Sequence, residues 1–220
     1  MYTVVFYIAL FIGLIPLLLL FLKGNAFNWS HLVVPFIWLT AIASAYEFVG
    51  THLLKINTAY WFQLYPLLSF LSLHYFFSRL LKPLYKIAFK ISLVLFVIVY
   101  GISFFYWSEN NKLISSAINR SFITLFVLTF SSVWLKNLFY KLKNLDPFEK
   151  IEIPNLWQSE VFYFVAGMAI YYSTTFFLFL SSNFIFDSNM YFYDYWFVNV
   201  IATLIFRIFL IIGVWKMKQD

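Results

Sequence analysis

The stretch ISLVLFVIVYGISFF, residues 91–105, is a continuous apolar run that decides the class of this fold. A helix rising about 1.5 Å per residue needs roughly 20 apolar residues to cross a hydrocarbon layer about 30 Å thick. With its flanks, the run fills residues 85–107 and meets that length. A membrane-spanning strand would have about 9–11 residues of alternating polarity, so this run predicts a transmembrane helix.

Further apolar runs of similar length occupy most of the remaining chain. The 220 residues are 63% hydrophobic and only 11% charged, and polar or turn-forming residues separate one run from the next. The runs predict seven spans, at 2–22, 29–50, 59–80, 85–107, 120–140, 159–183 and 193–215. We therefore expect an all-α integral membrane protein, a seven-transmembrane-helix bundle forming a single domain over residues 1–220.

Basic residues are divided unevenly between the two ends of the predicted spans, which indicates an orientation. One end carries Lys55, Lys112 and Arg120. The other carries eleven basic residues: Lys23, Arg79, Lys82, Lys86, Lys90, Lys136, Lys141, Lys143, Lys150, Lys216 and Lys218. Because loops rich in Lys and Arg stay in the cytoplasm, we predict an outside N-terminus and a cytoplasmic C-terminus in the cell inner (plasma) membrane. The bilayer is then the first partner of the chain.

Composition argues against several functional classes. The chain has no Cys, which excludes disulfides, thiolate metal sites and a thiol nucleophile. The basic residues are spread over several helix ends, so nucleic-acid binding is not expected. No Gly-rich phosphate loop, G-x-S-x-G or H-E-x-x-H motif is present. We expect no enzyme activity and no cofactor.

Charged and polar residues placed deep in predicted spans are the candidate functional residues, because burying them in lipid is costly. Arg207 lies near the middle of the seventh span. It is expected either to bind a substrate or gate a pathway, or to snorkel or cap a carbonyl or Tyr as a structural link. Glu47 lies towards the outer end of the second span and either carries a functional charge, is hydrated, or pairs with Lys55.

Three further residues complete the candidate ligand-binding set. Gln63 of the third span and Asn199 of the seventh lie at depths similar to Glu47, and would outline an outward-facing pocket if their helices were neighbours. His74, in the inner half of the third span, is either a hydrogen-bonded packing residue or part of a proton relay. His31 and His52 lie about 30 Å apart along one helix, so no metal site is expected.

Short motifs give the chain a resemblance to a group of membrane proteins. They are Tyr46-Glu47 late in the second span, Asn57-Thr58-Ala59-Tyr60-Trp61, Pro154-Asn155-Leu156-Trp157 and Ala169-Ile170-Tyr171-Tyr172-Ser173. In these features the chain resembles small uncharacterised seven-helix membrane proteins of Bacteroidetes. The resemblance implies a seven-helix architecture, and it brings no activity and no catalytic residues.

Three functions remain open. The first is a sensory or accessory subunit that signals through a membrane partner, with the loop 138–158 as the docking surface. The second is a small-solute or ion transporter or channel with a pathway past Glu47 and Arg207. An intramembrane enzyme is the third. We favour the first, because charge inside the spans is sparse and obvious helix breaks of the kind many transporters use are lacking.

Overall fold

Long helices dominate the computed structural model, which describes residues 2–108, 113–143, 159–180 and 192–218. No strand occurs in these ranges. The helices are α1 (Tyr2–Leu22), α2 (Val34–Ala45), α3 (Ala59–Leu80), α4 (Lys86–Phe105), α5 (Leu113–Lys143), α6 (Glu160–Leu180) and α7 (Phe192–Lys216). A π-helical segment, Tyr46–Leu53, continues α2, and a short 3₁₀ turn, Pro83–Tyr85, precedes α4. The prediction of an all-α chain is confirmed for the described residues.

Several of these helices have the length and composition of membrane spans. Among the described residues, four stretches are long and apolar enough to cross a bilayer: Pro83–Phe105, Ile114–Lys141, Glu160–Leu178 and Phe197–Lys216. Tyr7–Leu22 and Val34–Gly50 form shorter apolar helices, and α3 belongs to neither group. The polar residues within α3, among them Gln63, His74 and Arg79, lower its hydropathy. These stretches agree with an α-helical membrane protein.

Helix boundaries differ from the sequence-based expectations at a few positions. The chain forms turns before Val34, so α2 begins later than the predicted 29, and Pro35 occupies its first turn, where the missing amide costs no hydrogen bond. The π-helical segment carries this helix beyond the predicted 50. Helix α5 runs from Leu113 to Lys143, longer than the predicted 120–140. Residues 138–143 of the predicted docking loop are therefore helical, and 144–158 lie outside the described residues.

Six of the helices form a closed ring. Each packs on the next in the order α1, α2, α3, α5, α6, α7 and back to α1, while α4 packs on α5 and, over a smaller area, on α3. Much of α4 is exposed, including Ile87, Val94, Ile98 and Phe105. Its inner face is buried through aromatic pairs, with Phe96 stacked on Phe70 of α3 at 3.8 Å between ring centroids and Phe89 stacked on Phe130 of α5 at 4.3 Å.

The closest helix pair in the ring is α6 and α7, and two glycines make their approach possible. A Cβ on Gly167 of α6 would lie 2.6 Å from the Cβ of Phe209. A Cβ on Gly213 of α7 would lie 2.3 Å from Cε1 of Phe164. Neither distance is compatible with a larger residue at the glycine position, because real carbon atoms do not approach so closely. The two helices are thus held together by small residues facing large aromatic rings, as is common between membrane helices.

At one end of the bundle, hydrogen bonds connect the end of α1 to the end of α7. Gly24 adopts a left-handed conformation, φ 75°, directly after α1, and the amide of Asn25 returns to Leu20 O at 2.9 Å. The next contacts define the C-terminal latch: Lys23 Nζ donates to Trp215 O (2.6 Å) and Met217 O (2.5 Å), and Asn25 Nδ2 donates to Lys218 O (2.9 Å). A lysine suits this place, because the last carbonyls of a helix carry partial negative charge.

Candidate functional site

Arg207 is buried in the ring, with 8% of its surface exposed, and it connects three helices. From α7 its Nη1 donates to the carbonyl oxygen of Ala9 on α1, and its Nη2 donates to Ser44 Oγ on α2 at 2.8 Å. Ser44 in turn donates to Thr40 O at 2.9 Å. The guanidinium therefore binds a main-chain carbonyl, the arrangement expected of a structural link.

The path of Arg207 across α1 depends on a glycine. A Cβ on Gly13 would lie 2.7 Å from Arg207 Cζ, 2.9 Å from its Nε and 2.3 Å from Ser44 Oγ. These atoms could not stay in place beside any other residue. The absence of a side chain at Gly13 thus creates the space in which the guanidinium reaches α2.

Glu47 is half-buried in the π-helical segment and interacts electrostatically with Arg207. The amide of Leu54 bonds to Val49 O at 2.9 Å, the five-residue spacing that widens a π-helix. The ring of Tyr46 stacks on Trp61 of α3 with centroids 4.6 Å apart, which fixes this segment against the next helix. π-Helical turns are frequent at functional sites, and this one places the Glu47 charge near a buried arginine.

The side chain of Gln63 makes its contacts with α4 and α5, and not with the helices of the predicted pocket. It is buried, and its Nε2 donates to Ser103 Oγ of α4 (3.2 Å), while its Oε1 accepts from Ser115 Oγ of α5 (2.6 Å). Asn119 Nδ2 also donates to Ser103 Oγ, at 2.9 Å, leaving Asn119 Oδ1 buried without a partner among the described residues. These contacts, the Gln63 network, join α3, α4 and α5, and within the described residues none of them reaches α2 or α7.

The other two predicted site residues also lie apart from Glu47 and Arg207. His74 Nε2 is 3.1 Å from Phe89 O, and its ring packs between Phe70, Phe89 and Phe126, which agrees with the packing alternative. Asn199 is half-buried on α7, where its main-chain oxygen accepts from Thr203 Oγ1 at 2.8 Å. Of the predicted set, the structure thus shows an electrostatic interaction between Glu47 and Arg207, and it places Gln63, His74 and Asn199 in other surroundings.

A small cavity lies between α3, α5 and α6. The volume of this cavity is about 20 Å³, which is room for at least one ordered water or a ligand group of similar size. We call it the central cavity, and it is lined by Tyr65, Pro66, Ser69, Arg120, Ile123, Thr124, Tyr171 and Tyr172. Polar atoms from all three helices converge here, since Ser69 Oγ and Tyr172 Oη lie 3.2 Å apart and Arg120 Cζ lies 6.0 Å from the centroid of the Tyr65 ring.

The central cavity lies near the Arg207 region, to which aromatic and electrostatic interactions connect it. Tyr171 stacks on Phe206, the residue before Arg207, with ring centroids 5.1 Å apart. Tyr65 interacts electrostatically with Arg120, Arg207 and Glu47. Residues that line the cavity on α3 and α6 therefore also interact with α7. Among the described residues, no group of His, Asp and Glu could hold a metal ion.

Sequence reasoning missed several residues of this region. It identified Arg207 and missed its partners, because a main-chain carbonyl on α1 and a glycine carry no polar signal. It missed Ser69, Thr124 and Tyr172 because hydroxyl residues are ordinary in membrane helices. One signal was available on α5, where Ser115 and Asn119 lie four residues apart and so share a helix face.

Comparison with known proteins gives no family assignment. No family model, no curated protein and no solved structure matches the chain.

Proposed function

We propose that the chain crosses the plasma membrane seven times, with its N-terminus outside and its C-terminus in the cytoplasm. The ends of α1 and α7 lie together at the C-terminal latch, as seven spans of alternating direction along the chain require, and the basic residues are predicted to concentrate at that end. On this proposal the central cavity lies within the membrane, and the latch lies at the cytoplasmic face.

We further propose that the protein is a sensory or accessory subunit that signals through a membrane partner. The observation that carries this proposal is the central cavity, whose polar lining comes from three helices of a closed ring. A cavity of this size holds an ordered water or one small ligand group, and a few converging polar groups are what orient a bound group in such a site. A ligand that binds one helix arrangement better than another shifts the population between them.

Helix α6 is the proposed link between the cavity and the cytoplasmic face. It contributes Tyr171 and Tyr172 to the cavity and begins at Glu160, which interacts electrostatically with Lys23 and Lys218 of the latch. Between these points it packs tightly on α7 through Gly167 and Gly213. Because such packing leaves little free volume, a displacement of α6 at the cavity moves α7 as well. The cytoplasmic face, including the predicted loop 138–158, is then the surface that a partner binds.

Transport is the second candidate, and the electrostatic interaction between Glu47 and Arg207 favours it. A carboxylate and a guanidinium inside a bundle are groups that ion pathways use. In a transporter, Glu47→Gln would abolish proton-coupled uptake by the protein in proteoliposomes. In a sensory subunit, the purified protein moves no solute and the substitution changes nothing in that assay.

Hydrogen exchange tests the coupling between the cavity and the latch without a known ligand. Tyr172→Phe removes the contact with Ser69 and keeps the ring, and we expect faster amide exchange at residues 213–218 as well as around the cavity. Ser132→Ala is the control, because Ser132 is exposed on α5 away from both sites. Exchange changes confined to the cavity would contradict the proposed link.

A further inference from the structure

Three lysines follow one another at four-residue spacing where α4 begins. Lys82 immediately precedes the 3₁₀ turn, and Lys86 and Lys90 lie in the first turns of the helix, one turn or about 6 Å apart. All three side chains are exposed, and none of their ammonium groups makes a hydrogen bond or ion pair with another residue that the structure describes. The charges of Lys86 and Lys90 add to one another on one face of α4, and Lys82 lies just before the helix.

The neighbouring positions on the same face are apolar and exposed. Ile87 is 72% exposed, Ile91 54%, Val94 59% and Ile98 52%, and together they form a stripe that continues from the lysines towards the middle of the helix. This stripe belongs to Pro83–Phe105, one of the stretches able to cross a membrane. A row of ammonium groups thus leads directly into a lipid-facing apolar surface.

The placement of Lys90 makes this surface unusual. It lies seven residues, or about 10 Å, along the helix from Pro83, inside an apolar stretch where an isolated ammonium is costly. The first turn of α4 contains no acidic residue. Of the acidic side chains that the structure describes, Glu47 lies after α2 and Glu160 on α6, whereas α4 packs on α3 and α5. The lysines therefore need a counter-charge from outside these helices.

We propose that this face of α4 is a binding site for an anionic glycerophospholipid. The phosphate of the headgroup binds Lys82, Lys86 and Lys90, and one acyl chain lies along Ile87, Ile91, Val94 and Ile98. Charge complementarity selects an anionic lipid over a zwitterionic one, because a phosphodiester balanced by its own choline adds no net charge. The site does not depend on the sensory function proposed above.

Lipid binding to the purified protein tests this site directly. The protein is placed in nanodiscs that contain equal amounts of phosphatidylglycerol and phosphatidylcholine. The lipids that stay bound after the protein is released from the nanodisc are counted by native mass spectrometry. We expect retained phosphatidylglycerol in the wild type and at least about a tenfold weaker retention in Lys86→Gln/Lys90→Gln. Lys86→Arg/Lys90→Arg keeps both charges and is expected to retain the lipid.

Lys136→Gln/Lys141→Gln is the matched control, because both lysines are exposed at the same end of the bundle and the change in charge is equal. It is expected to leave lipid retention within about twofold of the wild type. An equal loss in both glutamine variants would mean that only the total charge matters, and would overturn the site. Equal retention of both lipids by the wild type would overturn it as well, since the lysines would then be covered by protein, such as an acidic segment of this chain or a second copy.

Discussion

The guanidinium of Arg207 lies where a side chain at residue 13 would otherwise lie, 2.7 Å from the position of a Cβ on Gly13. This relationship explains how one residue of α7 bonds to α1 and α2 together. It also makes the glycine as important to the site as the arginine, although it has no polar atom beyond its backbone.

Gly13→Ala should destabilise the protein, because the new methyl group would overlap Arg207 and Ser44. We expect a loss of about 1–3 kcal/mol in the free energy of unfolding, seen as a lower melting temperature in detergent. Gly101→Ala is the control, since nothing lies within 4 Å of a Cβ there and the position is helical. That variant should be unchanged or up to about 1 kcal/mol more stable, through higher helix propensity. Equal melting temperatures for the two variants would contradict the close approach.

Arg207→Met and Ser44→Ala should show an energetic coupling, because each removes one side of the same hydrogen bond. The arginine variant should cost about 3 kcal/mol, since Ala9 O loses a charged donor and Glu47 loses its opposite charge. The serine variant should cost less. In a double-mutant cycle measured by thermal unfolding, we expect a coupling of about 1 kcal/mol. Strict additivity would show that the two side chains do not interact.

The Gln63 network is expected to stabilise the fold, so its loss should be visible without any ligand. Ser115→Ala removes the donor to Gln63 Oε1 and should cost about 1 kcal/mol, the scale measured for hydrogen bonds between membrane helices. The same substitution at Ser132, exposed on the same helix, should have no effect on the melting temperature. A fully stable Ser115→Ala protein would return Gln63 to the list of candidate ligand-binding residues.

Lys23→Met should release the end of α7, because Trp215 O and Met217 O would lose their donor. Hydrogen exchange should accelerate at residues 213–218 and change little in α4. Lys136→Met, with the same loss of charge at an exposed site, is the control. If α7 exchanges equally fast in both variants, the latch does not hold it.

Much of the fold could be predicted from the sequence, because long apolar runs leave few alternatives to helices. Most predicted boundaries fall within a few residues of the observed ones, and the exceptions have local causes. The turns before Val34 contain Trp29, Leu32 and Val33, and these apolar residues led the predicted span to begin too early. The π-helical segment Tyr46–Leu53 depends on its hydrogen-bond spacing and on the stacking of Tyr46 against Trp61, which a hydropathy pattern does not contain.

The candidate site was harder to predict, because depth along a helix does not specify which way a side chain points. Gln63 and Glu47 were predicted at similar depth, yet Gln63 bonds to Ser103 and Ser115 while Glu47 interacts with Arg207. Helix order decides this difference. In the ring, α1 lies between α2 and α7, and α5 lies between α3 and α6, an order that no single-sequence pattern indicates.

The central claim, that the protein acts as a subunit of a membrane assembly, is tested most directly by purification from its own membranes. The tagged protein, expressed at its natural level, is extracted in mild detergent and purified. The proteins that co-purify with it are quantified by mass spectrometry. A similarly tagged, unrelated multi-pass protein serves as the control. We expect a membrane partner in stoichiometric amount that is absent from the control. The claim would be contradicted if the protein purified alone, moved solute in proteoliposomes and lost that flux in the Glu47→Gln variant. That result would establish transport instead.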